Sequence, residues 1–230
     1  MTYETIIPGK FLARPNRFIA HVETAAGPQV CHVKNTGRCR ELLIPGARVY
    51  VQRHRNPARK TALSLIAVEK DGRLVNIDSQ APNAVWQEAL AGGLLLPGRP
   101  EAAALIRREA VFGDSRLDFY IEWPEVRGWM EVKGVTLEEQ GVVRFPDAPT
   151  ERGRKHLREL SRAAREGWYA AVVFVIQMEG VSYFTPHRQM DPAFADALEE
   201  AVRCGVAALA YDCTVEPDGL TIRNSVEVVL

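Results

Sequence analysis

The chain has 230 residues, 47% of them hydrophobic and 25% charged, with 29 basic against 29 acidic side chains. That composition suits a globular protein with one large or two modest domains and excludes a disordered or fibrous chain. The longest apolar runs, such as YAAVVFVI at 169–176, fall far short of the roughly 18 residues a membrane helix needs, so no membrane partner is expected. The N-terminus shows no basic segment followed by an apolar one, so no signal peptide is expected either. Cys31, Cys39, Cys204 and Cys213 form no C-x-x-C pair, which argues against a zinc finger and fits reduced thiols in a cytoplasmic protein. The zero net charge conceals an asymmetry: residues 1–60 hold eleven Lys/Arg against three Asp/Glu, and residues 171–230 hold three against nine. The basic part is a candidate surface for a polyanion, or else its cations simply solvate strand edges and loops.

In chain order, RFIAHVET (17–24), QVCHVK (29–34), ARVYVQR (47–53), TALSLIAVEK (61–70) and RLVNID (73–78) are rich in β-branched and aromatic residues. They are punctuated by AAGP, NTGR, IPGA and KDG. Five short strands in about eighty residues without a strong helix predict a small antiparallel barrel of OB-fold type. Fold alone does not establish function. The character changes after DSQAPNAVWQEALAGG, and a boundary near residue 85 divides the chain into 1–84 and 85–230. EAAALIRREAVF (101–112) reads as a helix, RLDFYIEW (116–123) and WMEVKGVTL (129–137) as strands, and GVVRFP as another. TERGRKHLRELSRAAREG (150–167) has the stripe of an amphipathic helix. YAAVVFVIQ and VSYFTP are further strands, and DPAFADALEEAVRCG (191–205) is a helix with Asp191 as N-cap and Pro192 at its first position. GLTIRNSVEVVL closes the chain as a strand, paired within the monomer or across a dimer. Strands alternating with helices predict a mixed sheet flanked by helices.

The chemistry concentrates in WMEVKGV. Side chains alternate along a strand, so Trp129, Glu131, Lys133 and Val135 share one face, and Asp118 shares the equivalent face of the preceding strand. If the loop WPEV closes a symmetric hairpin, Tyr120 opposes Trp129, Asp118 opposes Glu131 and Arg116 opposes Lys133. Two carboxylates would then face each other with Cβ atoms about 5 Å apart. A divalent cation, Lys133 or a raised pKa on one acid would offset the repulsion. Two acids and a sheet carbonyl suit a hard cation such as Mg²⁺, and a neighbouring lysine can stabilise charge developing on a phosphate. The plainer reading is ordinary cross-strand surface electrostatics. Downstream, FPDAPTERGRKH places Asp147, Thr150, Arg152, Arg154, Lys155 and His156 at a helix start, where free N–H groups and the dipole attract phosphate. In the plainer alternative Thr150 caps, Asp147 turns, and His156 is a packed or surface histidine.

GKFLARPNRFIAHV, NTGRCRELLIPG, SRLDFYI, WMEVKGVTL and FPDAPTERGRKHLREL together closely resemble the sugar fermentation stimulation protein (SfsA) family. The resemblance implies an α/β fold of mixed α+β type: an N-terminal OB-fold-like barrel followed by a mixed-sheet domain of the PD-(D/E)xK nuclease superfamily. It also implies DNA binding without sequence preference and a link to sugar, particularly maltose, metabolism. The superfamily pattern falls on Asp118 and on Glu131-Val132-Lys133, with Leu117 where a proline often stands. It implies Mg²⁺ or Mn²⁺ held by Asp118 and Glu131, with Lys133 near the scissile phosphate. Arg14, Asn16, Arg17, Asn35, Arg38, Arg40, Arg152 and Lys155 are the expected contacts to a nucleic-acid backbone, which position without specifying sequence. Three readings follow: a metal-dependent nuclease, a DNA-binding regulator that does not cut, and a phosphate-ester sensor with no nucleic-acid partner.

Overall fold

The computed structural model describes residues 1–35 and 37–230; Thr36, inside the NTGR turn, lies outside the described residues. The first sheet contains β1 (Ile6–Asn16), β2 (Ile19–Thr24), β3 (Gly27–Val33), β4 (Arg48–Arg53), β5 (Leu63–Lys70) and β6 (Arg73–Asn76). The order is β3-β2-β1-β4-β5-β6, and β3 returns to pair in parallel with β5, from Cys31↔Leu63 to Val33↔Leu65, which closes the barrel. Alternate residues such as Ala20, Val22, Cys31, Val33, Val49 and Val51 point inward and are fully buried, as a small closed barrel requires. β1 was not expected from the sequence. Pro8, Gly9 and Pro15 break its strand signal, yet two register shifts, between Phe11 and Ala13 and between Ala13 and Asn16, let it bend along both β2 and β4.

The second sheet holds nine strands in the order β10-β11-β13-β15-β14-β12-β9-β8-β7. They are β7 (Leu105–Phe112), β8 (Ser115–Glu122), β9 (Arg127–Val135), β10 (Leu137–Glu139), β11 (Val142–Phe145), β12 (Tyr169–Ile176), β13 (Tyr183–Pro186), β14 (Ala207–Glu216) and β15 (Gly219–Val228). β12 lies parallel between β9 and β14. It is buried on both faces, which explains why it reads as an unbroken apolar run. Helix α1 (Ala81–Ala91) places Val85, Trp86 and Leu90 against Phe119, Met130 and Val173 on one face. Helices α2 (Glu151–Arg165) and α3 (Pro192–Arg203) cover the other, with Leu157, Leu160, Phe194 and Leu198 packed in one cluster with Val172, Phe174 and the barrel interior. The last strand pairs with β14 and β13 inside the monomer.

Two expectations are corrected. Residues 105–112 are the edge strand β7, not a helix: β7 and β8 form a hairpin around Gly113-Asp114, with Phe112 opposite Ser115 and Gly113 at φ +56°. The alanine-rich start favours helix by propensity, but ladder pairing and turn chemistry override it. The helix of this region is α1, which begins at Ala81, so the division proposed at residue 84/85 falls inside it.

One acid organises the approach of α2 and α3. Asp191 caps α3 by accepting from the Phe194 N–H at 3.0 Å, and it also accepts from the Thr150 N–H at 2.8 Å and from Arg154 at 3.0 Å. Thr150 in turn caps α2 through the Gly153 N–H at 3.0 Å. Burial would raise the Asp191 carboxyl, but these hydrogen bonds and the Arg154 charge outweigh it and hold the group below the ordinary carboxylate range. A depressed folded-state pKa stabilises above the unfolded value of about 3.9 and is lost as pH falls through the folded value. Asp191→Ala is therefore expected to cost about 2 kcal/mol at neutral pH, with the gap from wild type narrowing below pH ~3.9. Urea titrations at both pH values check this, and a gap that stays constant contradicts it.

The barrel joins the second sheet through a buried polar network. The Asn76 N–H at the end of β6 donates to the Gln177 carbonyl at 2.9 Å, and the Gln177 side chain donates to Asn76 Oδ1 at 2.9 Å and to the Asp78 carbonyl at 3.0 Å. Lys34 Nζ sits 2.5 Å from Asp78 Oδ2, and the Tyr3 hydroxyl, which accepts from Asn76 at 3.0 Å, also reaches that oxygen at 3.4 Å. Burial, then the Asp78 charge, pushes the Tyr3 phenol up.

Candidate active site

β8 and β9 pair from Glu122↔Arg127 through Tyr120↔Trp129 to Phe119↔Met130. That is the register expected from the sequence, but the ladder stops there. In place of an Asp118↔Glu131 pair, Asp118 Oδ2 accepts the Val132 N–H at 2.8 Å, while Oδ1 accepts from Asn83 of α1 at 3.0 Å. The expected Arg116–Lys133 pairing does not form; Arg116 opposes Val111 across the hairpin. The carboxylate takes over a ladder position, and beyond it β9 pairs with β12, Glu131 opposite Val172 and Lys133 opposite Phe174.

Glu131 is 2% exposed, a costly place for a charge without partners. Its Oε1 accepts from Lys133 Nζ at 2.6 Å and from His156 Nδ1, which α2 delivers from below the strand. Its Oε2 is buried and has no hydrogen-bond partner among the described residues. Burial would raise both acids. For Asp118 burial prevails, with the Glu131 charge adding to it, and the carboxyl stands above the ordinary range despite its bonds to Val132 and Asn83 and the Lys133 charge. For Glu131 the His156 bond and the Lys133 charge outweigh burial, and the carboxyl lies below that range. The pair is thus pushed apart, a pattern typical of functional sites.

Asp118, Glu131 and Lys133 line a cleft of about 230 Å³ together with Ser79, Pro82, Asn83, Thr150, Arg152 and Gly153. Gly134, next after Lys133, has to be glycine, since a Cβ there would stand 2.6 Å from Gln177 Oε1 and 2.7 Å from Pro82 Cγ. Of the cations expected near α2, Arg152 lines the cleft, whereas Lys155 turns away and donates to the Asp114 carbonyl at 3.2 Å. Among the described residues no three His, Cys, Asp or Glu side chains converge into a ready cage. The available set is two carboxylates, one with a bare buried oxygen, and it suits a hard divalent cation that keeps several waters.

The N-terminal candidates separate into two kinds. Arg14 donates to the carbonyls of Arg17, Asn35, Gly37 and Arg38, at 2.7 to 2.8 Å, and so braces the NTGR loop. Asn16 Oδ1 accepts the N–H groups of Phe18 and Ile19, shaping the β1–β2 turn. Both therefore have structural duties that the sequence reading did not assign. Arg17, Arg38 and Arg40 are exposed and surround a cavity of about 300 Å³ with Leu43, and Arg17 also lies 4.8 Å from the ring centre of the exposed Phe18. Asn35 Oδ1 accepts from the Gly37 N–H at 2.7 Å and lines a crevice of about 50 Å³ with Gly134, Val135 and Asp147, so the loop abuts the strand that carries the acids.

Two participants were not assigned from sequence, His156 and Asn83. The available signal for His156 was its place on the buried stripe of α2 with Gly153, Leu157 and Leu160, one helix turn inside a cluster already suspected; Asn83 gave none.

Comparison with known proteins now decides the family. Residues 12–77 match the model described as the SfsA N-terminal OB domain, and residues 80–219 match the sugar fermentation stimulation protein RE domain. The chain belongs to the sugar fermentation stimulation protein family. Sugar fermentation stimulation protein homologs of Clostridium beijerinckii and Ruminiclostridium cellulolyticum are 51% and 50% identical over 230 residues, covering all of both chains. The solved structure of Pyrococcus furiosus SfsA, a complex with Ca²⁺, superposes with a TM-score of 0.90 at 31% identity, covering 100% of this chain and 98% of that one. The barrel followed by a mixed-sheet domain is thus the family's architecture. No helix among the described residues is long and apolar enough to cross a membrane.

Proposed function

We propose that the protein binds DNA through the basic end of its barrel and carries a Mg²⁺- or Mn²⁺-dependent phosphodiester-cleaving site at Asp118, Glu131 and Lys133. The observation that carries this reading is Glu131 Oε2, a carboxylate oxygen buried without a partner and beside a second acid, which a cation would complete. The Ca²⁺ complex of the Pyrococcus furiosus relative supports a divalent ion in this architecture. Asp118 and Glu131 would hold the ion, which when bound lowers the pKa of water and neutralises phosphate charge.

The chain's own groups do the rest. Lys133, which lines the cleft beside Glu131, offers its donors to a phosphate oxygen as charge develops. Arg152 and the N-terminal turn of α2 hold a phosphate in the cleft, and Arg17, Arg38 and Arg40 hold the backbone at the barrel. Such contacts weaken steeply with salt, whereas a small phosphate ester seated in the barrel cavity would respond far less.

The test is cleavage of plasmid and single-stranded DNA with Mg²⁺ or Mn²⁺. Wild type is expected to cut, and Asp118→Ala and Glu131→Ala to cut at no more than about a hundredth of its rate. DNA binding without cutting in wild type would leave a binding protein and remove the nuclease reading.

A further inference from the structure

We infer that His156 is the positioning residue that anchors Glu131 in its metal-holding pose and thereby frees Lys133 to turn to the substrate. The inference rests on the metal-site reading above and deepens it. Its basis is an asymmetry in one carboxylate. Both donors, Lys133 Nζ at 2.6 Å and His156 Nδ1, converge on Oε1, while Oε2 has none. An ionised carboxylate only accepts, so Nδ1 carries the hydrogen of that bond.

The two donors are not equivalent. Lys133 is the longer, more exposed group, on a strand position that lines the cleft, and its flexible stem leaves it able to reorient. His156 is 5% exposed and held in the packed stripe of α2 between Gly153 and Leu157. Its helix is itself pinned by the Thr150 cap and by Asp191. When Lys133 swings toward a phosphate, Glu131 would lose its only anchor if His156 were absent. With His156 in place the carboxylate keeps its orientation and Oε2 stays free for an ion. Hydrogen-bonding partners behind metal-binding groups commonly set affinity in this way.

The two donors can be separated by calorimetric titration of the full chain with Mn²⁺. His156→Leu keeps bulk without a donor and is expected to bind Mn²⁺ about 10- to 100-fold more weakly than wild type. His156→Gln retains an N–H and is expected to recover most of that loss, and Lys133→Ala to bind the ion as wild type does while failing to cut DNA. Circular dichroism confirms that each variant is folded. If His156→Leu binds Mn²⁺ as tightly as wild type, or if Lys133→Ala loses as much affinity as His156→Leu, the inference is overturned. No Mn²⁺ binding by wild type sinks the metal-site reading itself, and the inference with it. Should the histidine variants not fold, wild type supplies the readout by NMR: a downfield imidazole Nδ1–H signal that persists at saturating Mg²⁺ supports the anchor, and its loss refutes it.

Discussion

Lys133→Ala is expected to reduce metal-dependent DNA cleavage about 10²- to 10³-fold, the usual cost of removing one donor aimed at developing charge. The substitution leaves both acids in place. Glu131 keeps its bond to His156, and Asp118 keeps its bonds to Val132 and Asn83. Lys133 is the lysine paired with the buried Glu131, so the variant also gives up some stability, but His156 still holds that carboxylate and the site stays assembled. The loss should therefore fall on turnover, with DNA affinity at a given salt concentration preserved. Single-turnover cleavage alongside a binding titration separates the two. A variant that cuts at the wild-type rate would remove Lys133 from the chemistry and leave it as a counter-charge for Glu131.

Lys34→Met is expected to be among the most destabilising substitutions outside the acid cluster, at about 3 to 5 kcal/mol, because it strands a buried charge. Asp78 is 2% exposed at its side chain, and Lys34, at 15%, is its only salt-bridge partner among the described residues. The remaining contacts to Asp78, the Tyr3 hydroxyl and the Gln80 N–H, cannot neutralise it. The double variant Lys34→Met/Asp78→Asn should recover a large part of the loss, since removing both charges also removes the cost of desolvating them. Chemical denaturation of the three proteins measures the cycle. Ser79, beside Asp78, lines the cleft and donates to the Lys34 carbonyl at 2.9 Å, so the single variant should also perturb cleavage. A loss under 1 kcal/mol would show that the network does not hold barrel and sheet together.

Much of this was legible in the residues because their local signals agree with the global fold. Alternation in IAHVET and RVYVQR, the Asp191 cap and the apolar run of YAAVVFVI each have one reading, and the structure follows it; at Thr150 the plainer of two readings, the cap, is the one the structure shows. The Tyr120↔Trp129 register followed from matching apolar faces across the WPEV loop. The misses are places where tertiary context decides. Prolines hide β1, which needs its bulges only because a barrel must close. Alanines mask β7, whose strand form depends on a partner, β8, that no local window contains. The bonds of Arg14 to four carbonyls could not be read from RPNRF, because a guanidinium reads as a phosphate ligand until the loop it braces is in place. His156 carried a helical period but no mark of its acid partner 25 residues earlier.

The end of the β8–β9 ladder bears on how such a protein ages. Asp118 is a stand-in for backbone as well as a candidate ligand, so the fold would penalise its replacement even in a lineage that had abandoned cleavage. Glu131 is likewise entangled with α2 through His156. Lys133 offsets the Glu131 charge but ties no second element to the strand. When chemistry ceases to be selected, drift should therefore reach Lys133 first, and relatives that keep both acids but vary at this position are where a purely DNA-holding descendant should be sought.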